Sequence, residues 1–396
     1  MPLPSLCRAV LAEDWQSGGF GLYIHWPFCE AKCPYCDFNS HVAREIDQAS
    51  WARAYLAEIE RYAELLPGRV LNAVFFGGGT PSLMAPDTVA QVLEAVKSAW
   101  PTANDLEVTL EANPGSVEAR RFAGFAQAGV SRVSMGFQAL NDRDLQRLGR
   151  VHSVAEAYQA LDIAHKYFDR VSFDLIYARQ DQTVADWRAE LSKALDLAVD
   201  HLSLYQLTIE PGTAFGDRYA RGWLKGLPPE DSAAEMYEVT QEICDKAGLP
   251  AYEVSNHARP GAESRHNLIY WRYGDYIGIG PGAHGRITLD GQKFATEAWS
   301  MPQRWLDGVA QGNSEKQQTA LTGTDQAGEY MMMGLRIAEG IDLTRYCALA
   351  KSPLSGETVS HLQDIGMVDT DGVRLWATAS GRIVLNRVIE ALLPDS

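Results

Sequence analysis

The chain has 396 residues, 46% hydrophobic and 22% charged, an ordinary balance for a globular protein with room for two or three domains. Its formal net charge of −16 argues against a general nucleic-acid binder, which needs a basic face to neutralise phosphates. No apolar run reaches membrane-spanning length, and the start of the chain carries Glu13 and Asp14 with no long apolar core, so neither a span nor a signal peptide is expected. Cys7, Cys244 and Cys347 are scattered and do not look like a disulfide framework. A reducing, cytoplasmic setting is the simplest account.

Six short apolar runs read as strands in chain order: Leu22–Trp26, Leu71–Phe76, Leu106–Leu110, Arg132–Phe137, Val171–Ile176 and Leu202–Leu207. Between them, Ser50–Leu66, Asp87–Trp100, Val117–Ala128, Val154–Phe168 and Ala185–Ala198 place apolar residues three and four apart and read as helices. Alternation of this kind implies βαβ units around a parallel sheet. Each strand runs into a polar or glycine-rich group: the cysteine loop, Gly77-Gly78-Gly79-Thr80-Pro81, Glu111-Ala112-Asn113-Pro114, Gln138, Asp174 and Tyr205-Gln206. A β/α barrel builds its site at those carboxyl ends. Six units are two short of closure, so the expected fold class is α/β, a partial (β/α)6 barrel with an open side.

The first of those loops holds Cys29, Cys33 and Cys36 at i, i+4 and i+7. Three thiols this close can wrap one metal centre, and Pro34 keeps the segment from being a helix. Two metals compete for it. Zinc would need a fourth ligand, for which His25 or His41 is available, whereas an iron–sulfur cube on three thiolates keeps one iron open. The triple glycine permits close ligand approach, but it is neither a dinucleotide fingerprint nor a Walker loop.

Taken together, Tyr-Ile-His-x-Pro-Phe-Cys, the Cys-x-x-x-Cys-x-x-Cys loop with Tyr35 before its last cysteine, Gly-Gly-Gly-Thr-Pro-Ser, Glu-Ala-Asn-Pro-Gly and Gly-Phe-Gln resemble the radical S-adenosylmethionine (SAM) superfamily. The similarity is to its branch of oxygen-independent coproporphyrinogen III dehydrogenases and their relatives, and it runs from about Gly21 onward. It implies a 4Fe–4S cluster on Cys29, Cys33 and Cys36, with SAM chelating the open iron. It further implies that Tyr23 and Tyr35 line the SAM and cluster pocket and that Gly78, Gly79 and Thr80 meet the methionyl part. Glu111, Gln138, Arg150 and Asp174 would complete the SAM site. One departure concerns the fifth loop, where Ala178-Arg179-Gln180-Asp181 replaces the family's usual Leu-Pro-Gly turn.

Two further departures select a branch. The dehydrogenases carry another cysteine where this chain has Phe38, and a longer segment before the cluster. Both point to the heme-chaperone branch, as does His266-Asn267-Leu268-Ile269-Tyr270-Trp271, which resembles its His-Asn-x-x-Tyr-Trp heme motif. That resemblance implies heme on His266, with Asn267, Tyr270 and Trp271 completing the motif; His257 and His284 are alternative ligands. Arg259, Arg265, Arg272 and Arg286 form a local basic excess that could meet two propionates. Met331–Met333 reads as helix core.

From about Pro302 the pattern changes to helices, a hairpin across Gly366–Leu375 with an Asp371-Gly372 turn, and a final helix, which suggests a winged-helix-like module. Gly340–Ser396 has five basic against seven acidic residues, the wrong sign for DNA, so it reads as a packing or partner-docking unit. The expected division is a leader at 1–20, the barrel at 21–250, the heme-motif segment at 251–301 and the C-terminal domain at 302–396. The function that the resemblance implies is heme binding and transfer to an acceptor protein, for which a membrane-associated respiratory enzyme is one candidate, in the cytoplasm and without nucleic acid. Homodimer formation stays open. The rival functions are oxidative decarboxylation of coproporphyrinogen III and a zinc-stabilised scaffold without SAM chemistry.

Overall fold

The computed structural model describes residues 13–115, 119–197 and 199–393. The six expected strands form, most of them longer than their apolar runs: β1 (Phe20–Trp26), β2 (Leu71–Gly78), β3 (Thr102–Ala112), β4 (Arg132–Gln138), β5 (Arg170–Tyr177) and β6 (His201–Gln206). The chain then adds β7 (Asn256–Ala258), β8 (Asp275–Ile279), β9 (His284–Leu289), β10 (Gln292–Ala298) and β11 (Glu315–Ala320). All join one sheet in the order β11-β10-β9-β8-β1-β2-β3-β4-β5-β6-β7.

That sheet is wider than the six units expected from the sequence. β8 pairs parallel to β1 on its free side, a seventh parallel strand that Gly274 and Gly278 conceal in the apolar pattern. β9, β10 and β11 then continue antiparallel, and β7 caps the far edge antiparallel to β6. One cavity is lined by side chains from β1 through β9, so the sheet curls round an interior. The expectation of a partial barrel is met, with an extended flank.

The helices lie close to their expected spans: Gln48–Leu65, Pro86–Ala99, Phe122–Ala128, Val154–Tyr167 and Val184–Leu195. Val117 and Ala198, at the ends of two expected helices, lie outside the described residues. Ser153 and Thr183 begin their helices with reciprocal capping boxes. The strands are buried on both faces, as a helix-covered parallel sheet requires. Trp51 and Trp305 stack at 5.5 Å between centroids, so helix Pro302–Ala310 packs on the large core. The sequence-based division at residue 302 cuts through this packing.

A second core gathers Ala327, Tyr330, Met331, Ile341, Leu349, Leu375 and Ile389 with Tyr273 from the heme-motif segment. It sits among the helices Gly323–Gly334, Leu343–Ala350, Gly356–Asp364 and Leu385–Leu392 and a small antiparallel sheet of Ile341–Asp342, Arg374–Ala377 and Val368–Thr370. The Asp371-Gly372 turn closes the expected hairpin, with Asp371 Oδ1 accepting from the Val373 and Arg374 amides at 2.9 and 2.7 Å. Of the Met331–Met333 run expected in the core, Met331 is buried, whereas Met332 is exposed and Met333 half-buried, because three consecutive helical residues cannot share one face. Cys7 lies outside the described residues, and Cys244 is a buried free thiol. Cys347 is buried.

The fifth loop adopts its own solution where the family turn is missing. Ala178 and Asp181 take left-handed backbone conformations at φ 57° and 58°. Arg179 turns inward between them and is 3% exposed. It pairs with Asp144 at 3.0 Å and with Glu190, tying the loop to two helices. Breaking a buried pair costs more than forming it gains, because the partners keep their charge without compensation. Arg179→Ala is therefore expected to destabilise the protein by about 3–5 kcal/mol in urea unfolding; an unchanged midpoint would mean that the triad is solvated.

Candidate functional site

Two adjoining cavities occupy the carboxyl end and the interior of the barrel. The smaller, about 150 Å³, is lined by Cys29, Cys33, Cys36, Tyr35, Gly78, Gly79, Thr80, Asn113, Gln138 and Arg150 among others. The larger, about 470 Å³, is lined by Tyr23, His25, Phe75, Tyr270, Tyr276, His266, Asn267 and His284 among others. Phe38, Gly78, Glu111, Ser134 and Asp174 line both. The two spaces therefore share a wall.

At the smaller cavity the loop curls its three half-buried thiols round one space, as Pro34 and the tight spacing require. Burial pushes the Cys29 and Cys36 thiols up, and the Thr80 hydroxyl opposes this at Cys29. Thr80 Oγ1 donates to Cys29 Sγ and Arg150 Nη1 to Cys33 Sγ, both at 3.4 Å. Arg150 Nη2 also donates to Asn113 Oδ1 at 2.6 Å and to the Gly136 carbonyl at 2.8 Å, which fixes the guanidinium beside the loop. Gly79 sits where a Cβ would come within 2.6 Å of the Phe28 carbonyl, and Gly78 has φ +107°. Glycine is needed at both. Gln138 follows a register shift in β4 and takes φ 69°, and it lines this cavity.

Glu111 and Asp174 stand in the shared wall. Glu111 accepts from the Gly78 amide at 3.2 Å, and Ser134 Oγ donates to Asp174 at 3.3 Å. Burial, with Asp174 nearby, pushes Glu111 up to about 8. Burial likewise raises Asp174 to about 6. Two carboxyls held this far from water fit a cationic ligand group, which would favour their charged forms.

The zinc alternative finds no fourth ligand here. Both nitrogens of His25 are engaged, Nδ1 with Tyr23 Oη at 2.8 Å and Nε2 with the Asn39 carbonyl at 2.9 Å. His41 Nε2 lies 3.2 Å from Asn39 Oδ1. Among the described residues no three His, Cys, Asp or Glu side chains converge as ligands of a single ion.

The His-Asn-x-x-Tyr-Trp motif lies on the helix Arg265–Trp271. Its N-terminus rests on Glu107 of β3, which accepts from the Arg265 amide at 2.9 Å and from Ser264 Oγ at 3.4 Å. Glu107 precedes Glu111 on the same strand, toward its amino end, so the helix closes the barrel floor, opposite the cysteine loop. His266, Asn267 and Tyr270, at i, i+1 and i+4, line the larger cavity. Trp271, about 140° round the helix from His266, does not line it. Ser264 Oγ is 2.7 Å from His266 Nδ1, and its own hydrogen goes to Glu107, so Nδ1 carries the ring proton. Nε2 then keeps a free lone pair. Burial lowers the His266 pKa, which favours the neutral ring. Phe75 lies against it at 3.8 Å between centroids.

Several sequence-based assignments move. Tyr23 lines the larger cavity and not the cysteine pocket. His257 is buried on β7 and lines neither cavity, whereas His284 is exposed at the mouth of the larger. Three of the four proposed propionate arginines are taken: Arg265 pairs with Asp105, Arg272 with Glu339 at 2.9 Å, and Arg286 with Glu329 at 2.8 Å. Surface arginines in so acidic a chain find carboxylates of their own. Unforeseen in the sequence are Arg132, Ser134 and His201, which line the interior from β4 and β6. A charged or imidazole side chain within a both-faces-buried strand was the available signal.

Comparison with known proteins follows this geometry. The Radical SAM superfamily profile matches residues 23–193 and the HemN C-terminal domain profile residues 321–384. The mitochondrial Radical S-adenosyl methionine domain-containing protein 1 of Bos taurus is 40% identical over 94% of this chain and 87% of its own. The heme chaperone HemW of Escherichia coli (strain K12) is 36% identical over 94% of this chain and 98% of its own. Among solved structures, coproporphyrinogen III oxidase (HemN) from Escherichia coli, a radical SAM enzyme, shares the fold with a TM-score of 0.80 over 97% of this chain and 91% of its own, at 22% identity. The chain belongs to the radical SAM superfamily, in the family of HemW and Radical S-adenosyl methionine domain-containing protein 1.

Proposed function

We propose that this protein is a heme chaperone, which holds heme in the barrel interior and passes it to an acceptor protein. The observation that carries this reading is the shared wall: the pocket of Cys29, Cys33 and Cys36 adjoins a cavity with a neutral imidazole nitrogen, His266 Nε2, free to ligate iron. Tyr23, Phe75, Tyr270 and Tyr276 supply aromatic surface for a macrocycle, and the volume suits a ligand of that size.

Cys29, Cys33 and Cys36 would hold a 4Fe–4S cluster, with SAM against Gly78–Thr80, Gln138 and Arg150 and its cationic groups facing Glu111 and Asp174. Bound there, the cluster supplies an iron with an open coordination position. The residues do the rest: Thr80 and Arg150 hold the thiols, while Phe38 stands at the boundary of the two spaces without offering a ligand. Trp271 takes no part in the cavity wall under this reading. A cytoplasmic location and the division into leader, barrel, heme-motif segment and C-terminal docking domain rest on the sequence alone, and the helix Pro302–Ala310 and strand Glu315–Ala320 belong with the barrel rather than with the last of these. Among the described residues no helix is long and apolar enough to cross a membrane, and several relatives are named as mitochondrial.

Three measurements bear on this reading. After anaerobic reconstitution the protein should carry about four irons and four sulfides, lose them on Cys29→Ser, Cys33→Ser or Cys36→Ser, and fail to turn over coproporphyrinogen III. Stoichiometric zinc, or multiple-turnover decarboxylation, would defeat the reading. His266→Ala should weaken heme binding at least tenfold and change the heme absorption spectrum while iron and sulfide stay constant; an unaltered spectrum would move the ligand to His284. The third measurement concerns pH. Folding raises the Glu111 pKa from its ordinary 4.5 to about 8, so Glu111 contributes most to stability below pH 4.5 and that contribution is lost as pH climbs toward 8. In the ligand-free chain Glu111→Gln should therefore raise the melting temperature by a few degrees at pH 8 and hardly at all at pH 5. Equal shifts at both pH values would mean that Glu111 is solvated.

A further inference from the structure

Phe38 is the one apolar side chain that lines both cavities, and it is 58% exposed. It stands two residues beyond Cys36, where the chain leaves the cysteine pocket. A ring so open gains little from packing, so its place depends on the backbone beneath it. That backbone is held at Asn39. The Asn39 carbonyl accepts from His25 Nε2 at 2.9 Å, and Asn39 Nδ2 donates to the Pro281 and Ser300 carbonyls at 2.9 and 2.8 Å. These bonds tie the end of the cysteine loop to β1, to the turn between β8 and β9, and to the chain just beyond β10. The fit is close: a Cβ on Gly78 would come within 2.5 Å of the His25 ring, and one on Gly282 within 2.6 Å of Asn39 Nδ2.

The acceptor settles where the His25 proton lies. A carbonyl can only accept, so Nε2 carries the hydrogen. Burial lowers the His25 pKa and favours the neutral ring, so Nδ1 keeps its lone pair and accepts from Tyr23 Oη at 2.8 Å. Tyr23 and His25 stand two apart on one face of β1, and both line the larger cavity. Tyr23 stacks on Phe75 at 6.0 Å between centroids, and Phe75 lies against His266. His25 therefore links the wall of the larger cavity to the end of the cysteine loop. The two sides need to be kept apart, because a thiolate is also a ligand for heme iron. A heme that crossed would meet the sulfurs and the space that the cluster and SAM require.

We propose that His25 is a positioning residue which, through Asn39, holds Phe38 as a partition between the two cavities. Heme in the larger cavity and SAM in the cysteine pocket then bind side by side without competing. The identity of the two ligands rests on the heme-chaperone reading, while the partition rests on the contacts of His25 and Asn39 and the place of Phe38.

The test measures the SAM dissociation constant of the reconstituted full-length protein, without heme and with heme at a fixed excess over its own dissociation constant. Wild type is compared with Phe38→Ala, His25→Asn and His25→Gln. Asparagine brings its amide near the place of Nδ1 and drops the bond to Asn39, whereas glutamine reaches the place of Nε2 and keeps it. In wild type and His25→Gln, heme should leave SAM affinity unchanged. In Phe38→Ala and His25→Asn, heme at about ten times its dissociation constant should weaken SAM about tenfold, as mutually exclusive binding requires. Iron and sulfide content checks that each variant holds its cluster. Competition in wild type, or none in Phe38→Ala, would overturn the partition. Competition in Phe38→Ala but not in His25→Asn would overturn the role of His25. If His25→Asn loses its iron and sulfide, the other two variants decide: competition in Phe38→Ala with none in His25→Gln is expected, and any other pattern overturns the proposal. A wild type that bound no heme would defeat the heme-chaperone reading and the partition with it.

Discussion

Charge inside a curled parallel sheet is the constraint on which the rest of this structure depends. Helices cover the outer face and strands surround the interior, so Glu107, Glu111, Arg132 and Asp174 are all removed from bulk water. Ions in such a place must be paired, neutralised or left for a ligand. The chain uses the first two. Glu107 is paired with Arg170, Glu111 and Asp174 are raised toward their neutral forms by burial, and Arg132 lies among them, donating to the Ser172 and Ser264 hydroxyls.

These groups form a connected path. From the floor upward, Glu107 holds Ser264, Ser264 meets His266 and Arg132, Arg132 donates to Ser172, Ser172 donates to Ser134, and Ser134 donates to Asp174. The path runs from Glu107, beneath the larger cavity, past His266 to Asp174 in the wall that the two cavities share. Hydroxyls suit the middle of such a path because each can donate and accept, so a change of protonation at one end can be met by rotation rather than by an unsatisfied group. The larger cavity and the cysteine pocket are thus joined by polar contact as well as by a shared wall.

Much of this was legible in the residues. The βαβ alternation located six strands, and the groups at the carboxyl ends of the first five reach the cysteine pocket or its wall, while Tyr205 of the sixth lines the larger cavity, because strand direction decides where those ends meet. β8 was hidden, since Asp275-Tyr276-Ile277-Gly278-Ile279 is short and interrupted by glycine, and its partner β1 lies about 250 residues earlier. Arg132 and His201 were hidden for a different reason. Each begins a strand whose apolar run makes a polar first residue look like a solvated edge, and only closure of the floor by the helix Arg265–Trp271 turns those edges inward. The basic excess of residues 259–286 misled because composition counts charges without their partners, and Asp105, Glu329 and Glu339 come from distant parts of the chain.

That floor helix is held from both sides, which bears on why the C-terminal unit exists at all. Its N-terminus is fixed by the Glu107 carboxylate of the barrel. Its C-terminus runs directly into Tyr273, which is buried in the core of the C-terminal unit. Arg345 adds a clamp, donating to the Arg272 and Tyr273 carbonyls at 2.6 and 3.1 Å while pairing with Asp14 at 2.8 Å. A helix of seven residues is too short to hold its own conformation in water, so its geometry comes from these attachments. The position of His266 is accordingly a joint property of the barrel and the C-terminal unit. A partner that docked on the C-terminal unit and shifted it would move the imidazole within the cavity, which gives a unit without nucleic-acid charge a mechanical route to the ligand.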